Sequence, residues 1–162
     1  MAVLGTVSCG AQEPLRDIQD RLVFYSAWRY PLNDSTEACI LFQDKGRFHE
    51  ELREADTQDG IVYGGIDGMW SVERACGKYI IVQRYDLSSL QCATPHATAV
   101  RAYYEAQNAR EREVRAEGRW YGIGPFSGFT EEGHIRLPDG RLLWSYGEEY
   151  AGDYNANCFE TR

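Results

Sequence analysis

Three pairs of strand-forming segments, each joined by a short turn that contains glycine, run through most of this sequence. The turns are Asp44-Lys45-Gly46, Cys76-Gly77-Lys78 and Pro138-Asp139-Gly140. Turns this short connect antiparallel strands, because parallel strands need a crossover of a dozen or more residues. The flanking segments are rich in β-branched and aromatic residues, which favour strands. The pattern therefore predicts an antiparallel meander and argues against a parallel α/β fold.

A strand is predicted over residues 61–72. Four of its apolar side chains share one parity and therefore face one side of the sheet, namely Val62, Ile66, Trp70 and Val72. Glycines at positions 64, 65 and 68 allow sharp coiling of this strand or close approach by another backbone. The same reasoning about parity, applied to the other strands, predicts a core. Its members are Phe42, Val62, Ile66, Trp70, Ile81 and Trp144.

Two helices accompany the strands. A short one is predicted from Glu13 to Leu22, with a proline in its first turn and a strand over 22–28 directly after it. A longer one is predicted near 98–117, where Ala, Glu and Arg dominate and Gly118 supplies a stop. The thin stripe of the longer helix predicts that it lies on the body and not at its centre. The stripe comprises Ala102, Ala106, Ala109 and Ala116.

An antiparallel sheet has to protect its edges, and closure into a barrel is the common solution. We therefore predict a mainly β (α+β) fold in which the meander forms a closed or half-closed β-barrel. No repeat or linker divides the chain, and its length is typical of one domain. Residues 1–162 are predicted as a single domain, with residues 1–12 as a flexible end.

One stretch matches a known pattern. It contains the segment Phe42–Phe48, then Gly68-Met69-Trp70, then Gly77-Lys78-Tyr79. Over residues 38–85 the chain resembles the meander of the lipocalin-like (calycin) barrels, in which the tryptophan of a Gly-x-Trp motif packs across the barrel floor. The resemblance implies a cavity that binds a small apolar ligand, and some relatives are enzymes. In lipocalins the motif opens the first strand, whereas here at least two strands precede Gly68.

The formal net charge is −8 at pH 7. This acidity argues against a nucleic-acid partner and against an anionic membrane surface, since both need clustered cationic side chains. No apolar run approaches the roughly 20 residues that span a bilayer, so no membrane-spanning segment is predicted. Two interpretations of the acidity are open. It keeps the protein soluble, or it belongs to an interaction module that binds a basic protein partner.

The cysteines leave their pairing open. No C-x-x-C pair or nearby histidine predicts a zinc site, and neither a metal nor a cofactor is predicted. The five widely spaced residues fit either buried thiols or long-range disulfides, and the odd count leaves at least one thiol either free or bonded to another chain. Two features favour export of the protein without defining its compartment. The N-terminus is short and uncharged, like the remnant of a signal peptide, and Asn33-Asp34-Ser35 is a glycosylation acceptor pattern. The cysteines are Cys9, Cys39, Cys76, Cys92 and Cys158.

The largest aromatic side chains lie on strands that glycines flank. A ring beside a missing side chain leaves concave space, and a polar group there is desolvated, which shifts its pKa. We therefore predict a ligand pocket, with a solid aromatic core as the alternative. The predicted walls are Tyr63, Trp70, Trp120 and Trp144, with Arg84, His134 or Glu148 as polar contacts.

The sequence contains no Gly-x-Ser-x-Gly, phosphate-binding loop, dinucleotide fingerprint or His-Glu-x-x-His motif. Candidate acid–base residues are His134, Glu148 and Glu149, the last two because carboxylates among aromatic rings can have raised pKa values. His49 and Glu51 lie on one face of a strand. Two interpretations are open: His49 is a base whose pKa the carboxylate adjusts, or the two residues form a surface salt bridge.

Three functions are consistent with these features. The first is binding of a small apolar or aromatic ligand in the barrel cavity. The second is a cofactor-free lyase, isomerase or cyclase that uses acid–base residues of the same cavity. The third is an acidic interaction module.

Overall fold

One antiparallel sheet and two helices make up the described part of the chain. The structure is a computed structural model that describes residues 14–24, 27–55, 60–75, 77–93, 95–117, 122–137, 140 and 142–145. Its elements are α1 (Leu15–Phe24), β1 (Ala27–Pro31), β2 (Thr36–Gln43), a 3-10 turn (Asp44–Gly46), β3 (Arg47–Glu54), β4 (Val62–Ala75), β5 (Lys78–Cys92), α2 (Ala97–Ala116), β6 (Ile123–Phe126), β7 (Ile135–Arg136) and β8 (Leu142–Ser145).

The strands follow the order β6-β5-β4-β3-β2-β1-β8-β7, and every neighbouring pair is antiparallel. Strands β1 to β6 form an open half-barrel, and β8 and β7 continue the sheet beyond β1. The predicted mainly β meander with one early and one late helix is confirmed, and of the two predicted forms of barrel the half-closed one is present.

The glycines of β4 permit the close strand contacts that the sequence predicts. A Cβ on Gly68 would lie 2.1 Å from the carbonyl oxygen of Arg84, and one on Gly64 would lie 2.5 Å from that of Gln91. Between these two positions the β4–β5 register shifts, where the Ser89 hydroxyl accepts a hydrogen bond from the Asp67 amide. Such irregularities bend a strand and increase its twist, so they help to curve the long β4–β5 pair.

Helix α1 continues to Phe24, and strand β1 begins only at Ala27, so the strand predicted to start at residue 22 was placed too early. Ile18 and Leu22 are fully buried on one face of the helix. The indole nitrogen of Trp28 donates a hydrogen bond to the Leu22 carbonyl over 2.9 Å. This bond satisfies a carbonyl in the last turn of α1, which keeps Leu22 within the helix.

Helix α2 spans nearly the predicted residues, but the predicted face was wrong. All four alanines of the predicted stripe are exposed. The larger side chains on another face bury more apolar area, and Val100 and Tyr104 belong to the core. The helix therefore covers the interior of the half-barrel more deeply than the sequence predicts. The buried residues of α2 are Val100, Tyr104, Glu111 and Val114.

Asn108 and Arg115 of α2 make polar contacts with the sheet. The Asn108 side-chain amide donates to the Tyr85 carbonyl over 3.1 Å and accepts from the Tyr85 amide over 3.4 Å. An amide side chain carries both a donor and an acceptor. Asn108 therefore satisfies the backbone amide and carbonyl of Tyr85 as a neighbouring strand would, at a position beyond the short β5–β6 pairing. Further along the helix, Arg115 pairs with Glu73 of β4 over 2.8 Å.

Four of the six predicted core residues, Phe42, Ile66, Trp70 and Ile81, are buried. Val62 is only half-buried. The β3–β4 register shifts between Leu52 and Arg53, so Val62 lies opposite Arg53 and its side chain is not among the buried apolar ones. The side chain of the sixth, Trp144, lies outside the described part of the structure.

Cys39 is buried and disulfide-bonded, while Cys92 is a free thiol. The remaining cysteines, Cys9, Cys76 and Cys158, include the partner of Cys39 and lie outside the described residues, as do the predicted flexible end over 1–12 and the C-terminal segment. One long-range disulfide is thus present, which is one of the two alternatives that the spacing left open.

Candidate functional site

Strand β3 is buried on both faces from Phe48 to Arg53, although four of these six residues are ionisable. Side chains alternate along a strand. Glu50 therefore lies on the face that α2 covers, while His49 and Glu51 lie on the opposite face. Burial of ionisable groups costs free energy unless they are paired. Because both faces of β3 contain such groups, we treat each face as a candidate site.

The Glu50 carboxylate is the centre of the inner site. Gln83 Nε2 donates to its Oε1 over 3.0 Å, and the Tyr104 hydroxyl donates to its Oε2 over 2.8 Å. Burial raises the pKa of Glu50 from 4.5 to about 7, against the opposing effects of these two hydrogen bonds and of His49. A carboxyl group with a pKa near neutrality can both accept and release a proton under physiological conditions.

Tyr104 remains a hydrogen-bond donor because its pKa is raised well above the ordinary value. Burial is the largest cause, followed by the negative charge of Glu50. Its ring lies 4.9 Å from the Tyr85 ring and 5.0 Å from the Tyr103 ring, measured between centroids. Three tyrosine rings thus form an aromatic cluster beside the carboxylate.

Glu50 lines a small space beneath α2, which we call the inner cavity. Its volume is about 150 Å³, which is room for several waters or one small functional group. Both polar and aromatic side chains face it. Besides Glu50, its walls include Tyr30, Gln83, Tyr85, Tyr103 and Gln107.

A wider depression of about 680 Å³, which we call the outer groove, adjoins the inner cavity. The two share Tyr30, Tyr103 and Gln107 as lining residues. At the outer groove the rings of Tyr63 and His96 lie 4.7 Å apart. Its apolar walls include Leu32, Leu52 and Val100. The arrangement suits a ligand with an apolar body and one polar group.

The opposite face of β3 carries a second cluster. His49 Nδ1 lies 2.7 Å from Asp67 Oδ1, and His49 Nε2 lies 3.4 Å from Glu51 Oε1. The sequence offered a surface salt bridge as one interpretation of His49 and Glu51, but both residues are buried. A cleft of about 630 Å³ beside them is lined by His49, Asp67 and the flexible side chains of Lys45 and Met69.

The residues predicted to bind a ligand are dispersed. Tyr63 lines the outer groove. Trp70 lies in the core, 5.0 Å from the Phe42 ring, and its indole nitrogen donates to the Gln43 carbonyl over 3.0 Å. Arg84 points outward with its side chain 64% exposed, near Glu111. Of these three predicted residues, only Tyr63 lines the outer groove, and none lines the inner cavity around Glu50.

His134 lies just before β7, and its backbone amide donates to the Thr130 hydroxyl over 3.1 Å. Partial burial lowers the pKa of His134, an effect that Glu132 opposes. The predicted wall residue Trp120 and the predicted acids Glu148 and Glu149 lie outside the described residues, as does the side chain of Trp144. Their predicted roles stay predictions.

Glu50, Gln83 and Tyr104 were not predicted as site residues from the sequence. A signal for Glu50 was present, because it occupies the same parity as Phe48 and Leu52, where an apolar residue is expected. No comparable signal marks Gln83 or Tyr104, since strand pairing and helix packing bring them to Glu50. His96 also lines the outer groove.

Comparison of the chain with family models, curated proteins and solved structures gives no match. The half-barrel agrees with the barrel-like fold that the calycin resemblance implies, and membership of that family stays a prediction. Within the described ranges, no helix is long and apolar enough to cross a membrane. The same part of the chain holds no group of three or more His, Cys, Asp or Glu side chains suited to a metal ion.

Proposed function

We propose that this protein binds a small apolar or aromatic molecule in the outer groove and inner cavity beneath α2. The apolar body of the ligand lies in the groove among Tyr63, Leu52 and Val100, and a polar group reaches Glu50. The groove volume of about 680 Å³ lies within the range of small-molecule sites, about 300–1,000 Å³.

The observation that carries this proposal is a buried carboxylate that faces a cavity. Glu50 is 1% exposed, and ionising it in the core costs free energy because its charge is desolvated. An apolar residue at this position would avoid that cost. A polar group beside a largely apolar pocket is the usual means of orienting a ligand, which gives Glu50 a function that offsets its cost.

The test is a titration of the ¹⁵N-labelled protein with a panel of small aromatic molecules, monitored by NMR. We expect saturable shifts centred on the amides of Tyr30, Tyr103 and Gln107, which border both spaces. Saturable shifts confined to other parts of the sheet, or none with any member of the panel, would contradict the proposal.

Helix α2 offers a matched pair of variants. Ala99 lines the outer groove, whereas Ala102 is exposed on the same helix and does not line that groove. Ala99→Phe should fill part of the groove and weaken binding by about tenfold or more, the loss of roughly 1.4 kcal/mol. Ala102→Phe adds the same bulk on the outer surface and should leave binding within about twofold of wild type.

A second candidate function is the cofactor-free lyase, isomerase or cyclase. The pKa of Glu50, about 7, favours it, because a general acid or base acts best when its pKa lies near the working pH. Glu50 would take a proton from a ligand carbon and return it at another position, while Tyr104 holds the carboxyl in place. The third function, an acidic module that binds a basic protein partner, gains no separate support from the described residues and stays a prediction.

The enzymatic candidate is tested in D₂O with ligands identified in the titration above. Proton transfer by Glu50 would exchange a carbon-bound hydrogen of the ligand for deuterium, which mass spectrometry detects. Glu50→Gln should abolish the exchange while the ligand still binds. Exchange that is absent from the wild type, or unchanged in Glu50→Gln, would exclude this role for Glu50.

A further inference from the structure

The charges around the inner cavity are unbalanced. Glu50 accepts its hydrogen bonds from the neutral donors Gln83 and Tyr104. Among the described residues, the side chains that line the inner cavity and outer groove include no Lys or Arg. An ionised Glu50 therefore faces the inner cavity with no Lys or Arg among the described residues that line it.

The walls of the same space favour positive charge. Aromatic faces attract cations electrostatically, and the effect is stronger where water is excluded. The inner cavity has Tyr30, Tyr85 and Tyr103 in its walls, and Tyr63 lines the outer groove. The net charge of −8 also raises the concentration of cations near the protein.

We propose that the ligand is a small organic cation, an amine whose ammonium group lies against the Glu50 carboxylate while its apolar part lies among the tyrosine rings. This inference rests on the binding function proposed above and names the chemical class of its ligand. A charge-assisted hydrogen bond to a carboxylate is about twice as strong as a neutral one. The amine thus supplies a positive charge that no Lys or Arg among the described lining residues provides.

Binding has a defined proton balance. An aliphatic ammonium group stays protonated below about pH 9, so the ligand arrives charged. Where Glu50 is protonated in the free protein, the carboxyl must release one proton to solvent before it can pair with the ammonium. Below a pH of about 7 the complex therefore forms with release of up to one proton, and above it with none.

Other titratable groups lie near Glu50 and need controls. Tyr103 of α2, Tyr85 of β5 and Tyr30 of β1 line the inner cavity. Tyr104 of α2 donates to Glu50 and keeps its proton because its pKa is raised.

Two histidines of the described residues are further titratable groups to consider. His49 adjoins Glu50 on β3 and acts on it electrostatically, but it lies on the opposite face. His96 lies at the outer groove. Any pH dependence of binding must therefore be assigned with variants.

The experiment compares three probes by isothermal titration calorimetry. They are 2-phenylethylamine, 2-phenylethanol and 3-phenylpropanoate, which present a cation, a neutral hydroxyl and an anion on similar apolar bodies. We expect the amine to bind about tenfold or more tighter than the alcohol at pH 8 and the carboxylate to bind most weakly. Repeating the amine titration in buffers of different ionisation enthalpy measures the proton release.

The pH profile and variants identify the responsible group. Amine affinity should rise by about tenfold per pH unit below pH 7 and level off above it, while alcohol affinity should change little. Glu50→Gln should remove the slope and the proton release. Glu105→Gln, which removes one exposed charge from α2, and His96→Gln should both keep the slope.

The outcomes separate the two proposals. If the alcohol binds as tightly as the amine, or if Glu50→Gln binds the amine as wild type does, the ligand is not a cation held by Glu50, and binding in the groove still stands. If the wild type shows no pH slope for the amine, the inference fails even without a variant. If none of the three probes binds, the proposed binding function fails together with the inference.

Discussion

The hydroxyl of Tyr104 on α2 donates a 2.8 Å hydrogen bond to the carboxylate of Glu50 on β3, across 54 positions of sequence. This bond links the helix that covers the half-barrel to the middle of the sheet. The protonation of Glu50 and the position of α2 are therefore coupled, since the Tyr104 hydroxyl serves both.

Tyr104→Phe should destabilise the protein by about 1–3 kcal/mol, because a buried acceptor loses its donor. The Tyr104 bond lowers the pKa of Glu50 against the effect of burial, so the variant should raise that pKa above about 7. Carbon-13 NMR of the Glu50 carboxyl group measures the pKa, and urea unfolding measures the stability. Tyr103→Phe is the matched control, and an equal pKa change there would contradict a specific role for Tyr104.

Stability should depend on pH through Glu50. The pKa of Glu50 is about 7 in the folded state against an ordinary value of 4.5, so the folded protein binds the proton more tightly than the unfolded chain. Stability therefore falls as pH rises from about 4.5 to about 7, by about 3 kcal/mol for this group.

Glu50→Gln removes this contribution, so its stability relative to wild type should increase by a few kcal/mol between about pH 4.5 and pH 8. Urea unfolding at the two pH values measures the change. Glu105→Gln should keep a constant offset from wild type. A Glu50→Gln offset that stays equally constant would show that the folded-state pKa is not raised.

Trp70→Ala should lower stability by about 3–5 kcal/mol, the usual cost of removing a buried aromatic side chain. Trp70 is 8% exposed, contacts the Phe42 ring and donates to the Gln43 carbonyl. Its neighbour Met69 is 54% exposed, so Met69→Ala should change stability by less than about 0.5 kcal/mol. Thermal unfolding distinguishes the two, and similar midpoints for both variants would contradict the assignment of Trp70 to the core.

Cys39→Ser should lower stability by about 2–4 kcal/mol, because the disulfide restricts the unfolded chain. Cys92 is a free thiol, so Cys92→Ser should have a much smaller effect. Reduction of the wild type should lower its urea midpoint, whereas reduction should leave the midpoint of Cys39→Ser unchanged. Loss of stability on reduction in both proteins would indicate that another disulfide carries the effect.

Particular elements show how far the sequence could be interpreted. The turn at Asp44–Gly46 and the apolar residues on either side of it predicted the β2–β3 hairpin, because both signals are local. The face of α2 was predicted wrongly, since a stripe of alanines and a set of larger residues competed for the same contact. Tyr104 is buried because the half-barrel offers a space large enough for its ring, and that space exists only after the sheet has curved.

The sequence by itself determined the local structure, namely the antiparallel meander, the two helices and the glycine positions in β4 that permit close backbone contact. These features depend on alternation, turn chemistry and helix propensity, which act over a few residues. Only the tertiary structure decided the candidate site. Glu50, Gln83 and Tyr104 meet from three elements, and the raised pKa of Glu50 arises from burial that no local pattern contains.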